Sequence, residues 1–446
     1  MRPFFLLSAG TLLAGIGNGI AIVALPWLVL ERTGSATSAA LVAAAAAIPL
    51  LFASLLSGTI VDIVGRRRIA VASDALSAIS VMAIPLIDAT FGLTVASLAI
   101  LAALGAVFDP AGITARETML PEAARTSGFR LDRVNSIYEA IFNGAYLIGP
   151  GVGGLLVATI GAVNTLWFTG AGFIFSMIAV SAVRLPGAEK PAQREELTGF
   201  WASTREGLAF VWRDHLLRST ALLSMGVVAF YLPIEGVILP AYFTKMQTPA
   251  YLGWVLMAMS IGGLLGALAY GQWAERLPRR SIFITAIVSL GIAVLGLALL
   301  PPLWVMLLLC AILGFTYGPV GPITNFAMQT RTPDRLRGRV TGVMSSTAYA
   351  AGPLGYLLAG PLIDHFGIQT AFLLIASLLM LMVLTSFFMP ALRELDIPRP
   401  VGEEGWSQVS DDEEPDLPPL PPVQIGSLYP TMPLNHPGSH ARKSES

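Results

Sequence analysis

The sequence predicts an all-α membrane protein with twelve transmembrane helices in two pseudo-symmetric six-helix halves. Three observations carry this prediction: the apolar composition, the number of long apolar runs, and the side on which the basic residues fall. Of 446 residues, 54% are hydrophobic and 12% charged, about half the charged share of an ordinary soluble domain. That composition excludes a water-soluble enzyme of this size. A single cysteine, Cys310, excludes an internal disulfide. The four histidines (His215, His365, His436 and His440) form no ligand-like cluster, so no metal site and no cofactor are expected.

Crossing the hydrocarbon core takes about 20 mostly apolar residues. Spans 1 to 6 cover 5–30, 38–61, 69–87, 93–112, 136–158 and 163–183; spans 7 to 12 cover 219–243, 252–272, 282–300, 303–325, 341–363 and 370–389. They are apolar on all sides and interspersed with Gly and Pro, which membrane helices tolerate. The first run is too long for a signal-peptide core and is read as a retained helix. With the N-terminus placed on the cytosolic side, 25 of the 27 basic residues lie inside and only Arg32 and Lys245 fall outside. The alternation is a positive-inside pattern and places both termini in the cytosol, in an inner or plasma membrane.

The chain divides into a first bundle at 1–183, a linker at 184–218, a second bundle at 219–393 and a tail at 394–446. The linker's second part has apolar residues at Leu208, Phe210, Val211, Leu216 and Leu217. This predicts an amphipathic helix, lying on the inner membrane face or packed on the protein. The tail is acidic and Pro-rich, with D-L-P-P-L-P-P at 416–422, and its composition predicts disorder.

The two halves echo one another. G-T-I-V-D-I-V-G-R-R-R at 58–68 and G-Q-W-A-E-R-L-P-R-R at 271–280 both place an acid four residues after Gly and then an Arg pair. F-D-P-A at 108–111 is matched by Y-G-P-V at 317–320, Arg133-Val134 by Arg339-Val340, and Gly161 by Gly367. Six plus six helices related by duplication is a transporter architecture, with the binding site between the halves near mid-membrane.

The run carrying Gly58, Asp62, Gly65, Arg66 and Arg67 resembles the signature loop of the major facilitator superfamily, G-x-x-x-D-R-x-G-R-R, and departs from it at Ile63. The resemblance implies the major facilitator fold over residues 3–393. It also implies that Asp62 contacts span 11 and latches the outward-facing form. In span 5, A-Y-L-I-G-P-G-V-G-G at 145–154 resembles the G-x-x-x-G-P-x-x-G-G motif of the superfamily's proton-driven exporters. Gly149, Pro150, Gly153 and Gly154 match, and Ala145 replaces the first Gly. The side-chain-free face of this motif is expected to pack on span 8 at Gly262, Gly263 and Gly266. Further matches, among them L-P-E at 120–122 and L-R-G-R-V at 336–340, resemble the drug:proton antiporter branch of macrolide-efflux and enterobactin-exporter proteins.

Ionisable residues inside spans cost roughly 2.5–3.5 kcal/mol on insertion scales and call for a reason. Glu235, between Pro233 and Gly236 in span 7, is the deepest acid. Two readings stand: it lines the central cavity and binds a proton or a cationic drug, or it lies near the outer mouth and reaches water. Asp74, Asp109 and Glu139 are expected to group with Arg116 under Asp62, as a pairing switch or as a static cluster. Asn18 and Asn143 are read as buried amides. They and Tyr231 are candidate cavity residues, within an aromatic set that includes Trp27, Phe142, Tyr146, Phe230, Phe326 and Tyr349.

The resulting expectation is a monomeric, proton-coupled exporter of amphiphilic small molecules, as in drug efflux, working by alternating access. Its partners are the substrate, protons and the bilayer, with no nucleic acid. No G-x-x-x-x-G-K-S/T loop occurs, so the energy source is the proton gradient and not ATP. Three alternatives remain at this level. They are a uniporter or importer of a metabolite, a siderophore or secondary-metabolite exporter, and a non-transporting receptor or scaffold.

Overall fold

The computed structural model describes residues 2–185, 200–273, 277–333 and 336–396. Within span 2 nothing is described of the surroundings of Gly58 or of the side chain of Asp62, and the linker stretch 186–199 and the tail from 397 lie outside the described residues. Eleven helices among the described residues are long and apolar enough to cross a membrane.

The first six spans are α1 (Arg2–Thr33), α2 (Ala36–Val64), α3 (Arg66–Thr90), α4 (Val95–Ser127), α5 (Leu131–Ile160) and α6 (Ala162–Ser181). α4 and α5 outrun their apolar runs, because hydropathy marks only the hydrocarbon-embedded part and a helix continues past it. The short amphipathic α7 (Phe200–Arg213) follows. Span 7 is α8 (His215–Pro233), a π-helical turn at Ile234–Ile238 and α9 (Leu239–Lys245). α10 (Pro249–Trp273) and α11 (Arg279–Ala298) come next. Span 10 is split into α12 (Leu303–Tyr317) and α13 (Val320–Arg331) at Gly318-Pro319. Span 11 is split into α14 (Arg337–Ala350) and α15 (Gly352–Phe366) at Ala351, so neither piece alone reaches spanning length. This break accounts for eleven candidate spans against the twelve apolar runs, because Leu303–Arg331 still counts as one span across Gly318-Pro319. α16 (Ile368–Thr385) closes the bundle, and a 3₁₀ segment at Pro390–Asp396 follows it.

Local sequence explains the joints. Gly65 has φ +104°, a conformation only glycine adopts without strain, so the α2–α3 turn requires it. Gly161 and Gly367 both have φ +82°, with ψ 159° and 160°, each separating two helices with no loop between them. The repeat seen in sequence thus extends to backbone angles. Ser35 caps α2 by accepting from Ser38 N, and Asp214 caps α8 by accepting from Leu217 N at 2.9 Å.

α1 packs on α5 and α6, and α3 packs on α4 and α6. α2 lies against α4 on one side and α15 on the other. In the later part α10 packs on α12, α11 on α12 and α16, and α15 on α8. The early and late helices meet chiefly through two pairs, α2 with α15 and α5 with α10. α7 docks on α14: Gly207 sits against the Arg339 backbone, Glu206 pairs with Arg339, and Val211 is buried. Leu208 and Trp212 face outward. The amphipathic helix therefore does pack on the protein, and it ends at Arg213, short of Leu216 and Leu217, which belong to α8. The start of the tail is docked too. Arg331 bonds Asp214 at 3.2 Å and Glu394 at 2.9 Å, and Asp396 accepts from Arg280 N at 3.2 Å.

Candidate substrate cavity and charge network

A cavity of about 440 Å³ lies between the early and late helices. Its volume follows from sequence: Ala39, Ala43, Ala46 and Ala47 of α2 present methyl groups where longer side chains would fill the space. Ala21, Ile22, Leu25 and Val81 add further apolar wall. Against this background Asp109 of α4 and Glu235 of the π-helical turn are the two acids in the lining, and no Lys, Arg or His is among the described lining residues. Glu235 thus lines the cavity. Its turn is π-helical, with Leu239 N donating to Ile234 O. Pro233 supplies no N–H, and Gly236 allows the Tyr356 ring to within 2.8 Å of where a Cβ would sit.

Asn18 Nδ2 donates to both oxygens of Asp109, at 3.0 and 3.2 Å. Behind Asp109 lies a second group. Arg116 forms an ion pair with Asp74 whose two side chains are 4% and 3% exposed. Ser176 Oγ donates to Asp74 at 2.7 Å, and Arg116 Nη2 donates to Ser176 Oγ at 3.2 Å. Arg116 Nε and the Tyr138 hydroxyl have no hydrogen-bond partner among the described residues. Arg116 and Tyr138, with Asp109, line a small space of about 10 Å³. Small residues let these helices approach: a Cβ on Gly112 would meet Ser73 Oγ at 2.5 Å.

Several sequence expectations need correction. Asn143 is exposed; it donates to its own helix at Glu139 O, 2.9 Å away, and takes no part in the lining. Glu139 is likewise exposed and stands apart from the Asp74–Arg116 pair. Both lie off the buried α5 face that carries Tyr138, Ala145 and Gly149. Tyr231 sits behind Glu235 and outside the lining, its hydroxyl donating to Met259 Sδ at 2.8 Å. Of the aromatic set, Tyr146 lines the main cavity and Phe142 the small one. Trp27 is buried in the core, Phe326 lies under Arg279 at 3.9 Å, and Tyr349 is exposed.

The span 5 motif serves two neighbours. Gly149 and Gly153 abut Gly19 and Ile20 of α1, while Gly151 and Gly154 abut Met257 and Gly253 of α10. The α10 contact is Gly253, not the predicted glycines. Gly262 and Gly266 face Ala311 and Phe315 of α12, and a Cβ on Gly263 would lie 3.8 Å from Gly314 O of the same helix. In the signature loop, Arg67 donates to Ser181 O. Sequence reasoning missed Tyr356, Tyr138 and Ser176, whose residue types carry no positional signal. It also missed Asp364, which looks like any polar residue at a span end.

Two sets of spanning helices that close on a carboxylate-bearing cavity define the class of secondary transporters. The chain belongs to the Major Facilitator Superfamily, whose family model matches residues 7–349 and 234–428. It is 51% identical over 398 residues to the multidrug efflux pump Tap of Mycolicibacterium fortuitum, covering 89% of this chain and 97% of that protein. It is 50% identical over 409 residues to Tap of Mycobacterium tuberculosis (strain ATCC 25618 / H37Rv), covering 90% and 98%. Macrolide efflux protein A of Streptococcus pyogenes is 22% identical over 405 residues, covering 88% and 97%. Among solved structures, the nucleoside transporter NupG superposes with a TM-score of 0.72 at 12% identity, covering 87% of this chain and 99% of that one. That likeness is one of fold.

Proposed function

We propose that the protein is a proton-coupled exporter of amphiphilic small molecules with cationic character, of the multidrug-efflux type. The reading is carried by one observation: Asp109 and Glu235, contributed by opposite sides, are the acids of an otherwise apolar cavity with no described basic lining residue. Apolar walls accept varied hydrophobic bodies, and the carboxylates attract either a cation or a proton but disfavour anions. Half-identity to proteins named multidrug efflux pump supports the direction. On this reading the bundles 1–183 and 219–393 rock about the cavity, joined by the 184–218 linker. The chain works as a monomer in the plasma membrane with both termini cytosolic. A proton entering down 100 mV contributes about 2.3 kcal/mol to expelling substrate. Glu235 and Asp109 exchange proton and substrate, and Asn18 positions Asp109. Asp74 and Arg116 anchor α3, α4 and α6 behind it, and Gly58, Asp62, Gly65, Arg66 and Arg67 serve the rocking motion.

The test is proton-driven uptake of a cationic dye into everted membrane vesicles. Glu235→Gln and Asp109→Asn should each lower the ΔpH-driven rate by at least about tenfold at equal membrane protein level. Wild-type rates in both variants overturn the reading. Uptake by wild type without a proton gradient would point instead to a uniporter.

A further inference from the structure

Asp364, the last acid of α15, reaches across to the other bundle. Its carboxylate accepts from Ser35 Oγ at 2.8 Å, Ala36 N at 2.9 Å and Thr37 N at 2.9 Å. These partners lie 327 to 329 residues away in sequence. The backbone beneath is in close contact: a Cβ on Gly360 would lie 2.7 Å from Ala40 Cβ and 2.7 Å from Thr37 Cα. We propose that Asp364 is a positioning residue for the transport cycle, a latch that holds the α1–α2 turn end of the two bundles shut while the cavity faces the opposite side.

Three features make it a latch and not a static cap. First, α2 already has its own cap, because Ser35 Oγ accepts from Ser38 N, so the helix does not need Asp364 to form. Second, Ala36 N and Thr37 N are among the orphan donors of a helix N-terminus, where a negative charge is favoured. Third, Asp364 is exposed, so water replaces the lost bonds on opening and separation is reversible. The bonds are charge-assisted but not sealed from solvent, which gives a bias between states and not a permanent lock.

The experiment measures the separation directly and needs neither substrate nor proton gradient, so it succeeds or fails independently of the export reading. Spin labels are placed at Phe91→Cys and Leu299→Cys in a Cys310→Ser background. These positions are 89% and 63% exposed, on turns at the same end of the two bundles. Pulsed distance measurement in nanodiscs should show mainly the short separation in the otherwise unmodified protein. Asp364→Ala should raise the long-to-short population ratio by about tenfold, and the isosteric Asp364→Asn, which keeps one acceptor geometry but no charge, by a smaller factor in the same direction. Distributions unchanged in both variants overturn the proposal. If Asp364→Ala fails to fold, the Asn variant decides: a shift toward the long separation supports the latch, and an unmoved distribution overturns it.

Discussion

At Glu235 the chain leaves α-helical register for a single turn, and the residues on either side explain why. Pro233 has no N–H to give, and Gly236 has no side chain to block Tyr356. The Asp74–Arg116 pair is the opposite kind of site, fully enclosed and bonded to Ser176. Removing one partner leaves the other charge buried and unpaired. Arg116→Ala should therefore cost about 3–5 kcal/mol, read as a lowered unfolding midpoint in detergent. Asp364 differs again. Its slight burial opposes the charge, but hydrogen bonds from Thr37, Ser35 and Ala36 outweigh that and hold the carboxyl below its ordinary value. A carboxylate so shifted contributes fully above its ordinary range and loses its contribution as pH falls through the lowered value. The closed fraction in the distance measurement should thus be flat from pH 8 to about 5 with respect to this group, and fall only on stronger acidification.

Among elements, glycine placement separates contacts within a bundle from contacts between bundles. A Cβ on Gly266 would collide with the Phe315 carbonyl, in the α10–α12 interface of one bundle. A Cβ on Gly253 would collide with the Pro150 carbonyl, in the α5–α10 interface between bundles. Gly266→Ala should lower the melting temperature, because no state relieves the clash. Gly253→Ala should leave the melting temperature nearly unchanged but shift the spin-label distances toward the open form. At the α2–α3 turn, Gly65→Ala forces a side chain into φ +104° and should cost about 1–3 kcal/mol. The long apolar runs, the turn glycines and the repeat were all legible in sequence. The splits at Ala351 and Gly318 were not, because Gly and Pro are so common in membrane helices that their presence does not distinguish a break from a continuous span.

For the molecule as a whole, the chain is clamped at its two ends by different chemistry. At the α1–α2 turn end, Asp364 and the Gly154–Gly253 contact join the bundles. At the other end, Arg331 gathers Asp214 and Glu394, tying the α7–α8 junction and the segment after α16 to the second bundle. Truncation after Asp396 should preserve the unfolding midpoint, whereas truncation before Pro390 removes Glu394 and should lower it. The resemblance assigns Asp62 a latch at the far end of α2, so the α2 and α14–α15 helices would be held at opposite ends in opposite states.

The sequence alone determined how many times the chain crosses the membrane, that its halves are related, and which family motifs it carries. Each of these depends on local hydropathy, charge bias or spacing, which accumulate along the chain. It also singled out Glu235 and Asp109 as costly acids. Only the tertiary structure decided which acids share a cavity, that Glu139 and Asn143 are exposed and outside its lining, and that Asp364 reaches the first bundle. Those outcomes depend on helix rotation and on contacts between residues hundreds of positions apart. Rotation is set by how small residues such as Gly19, Gly149 and Gly253 interlock, a property of pairs of surfaces that no single stretch of sequence contains.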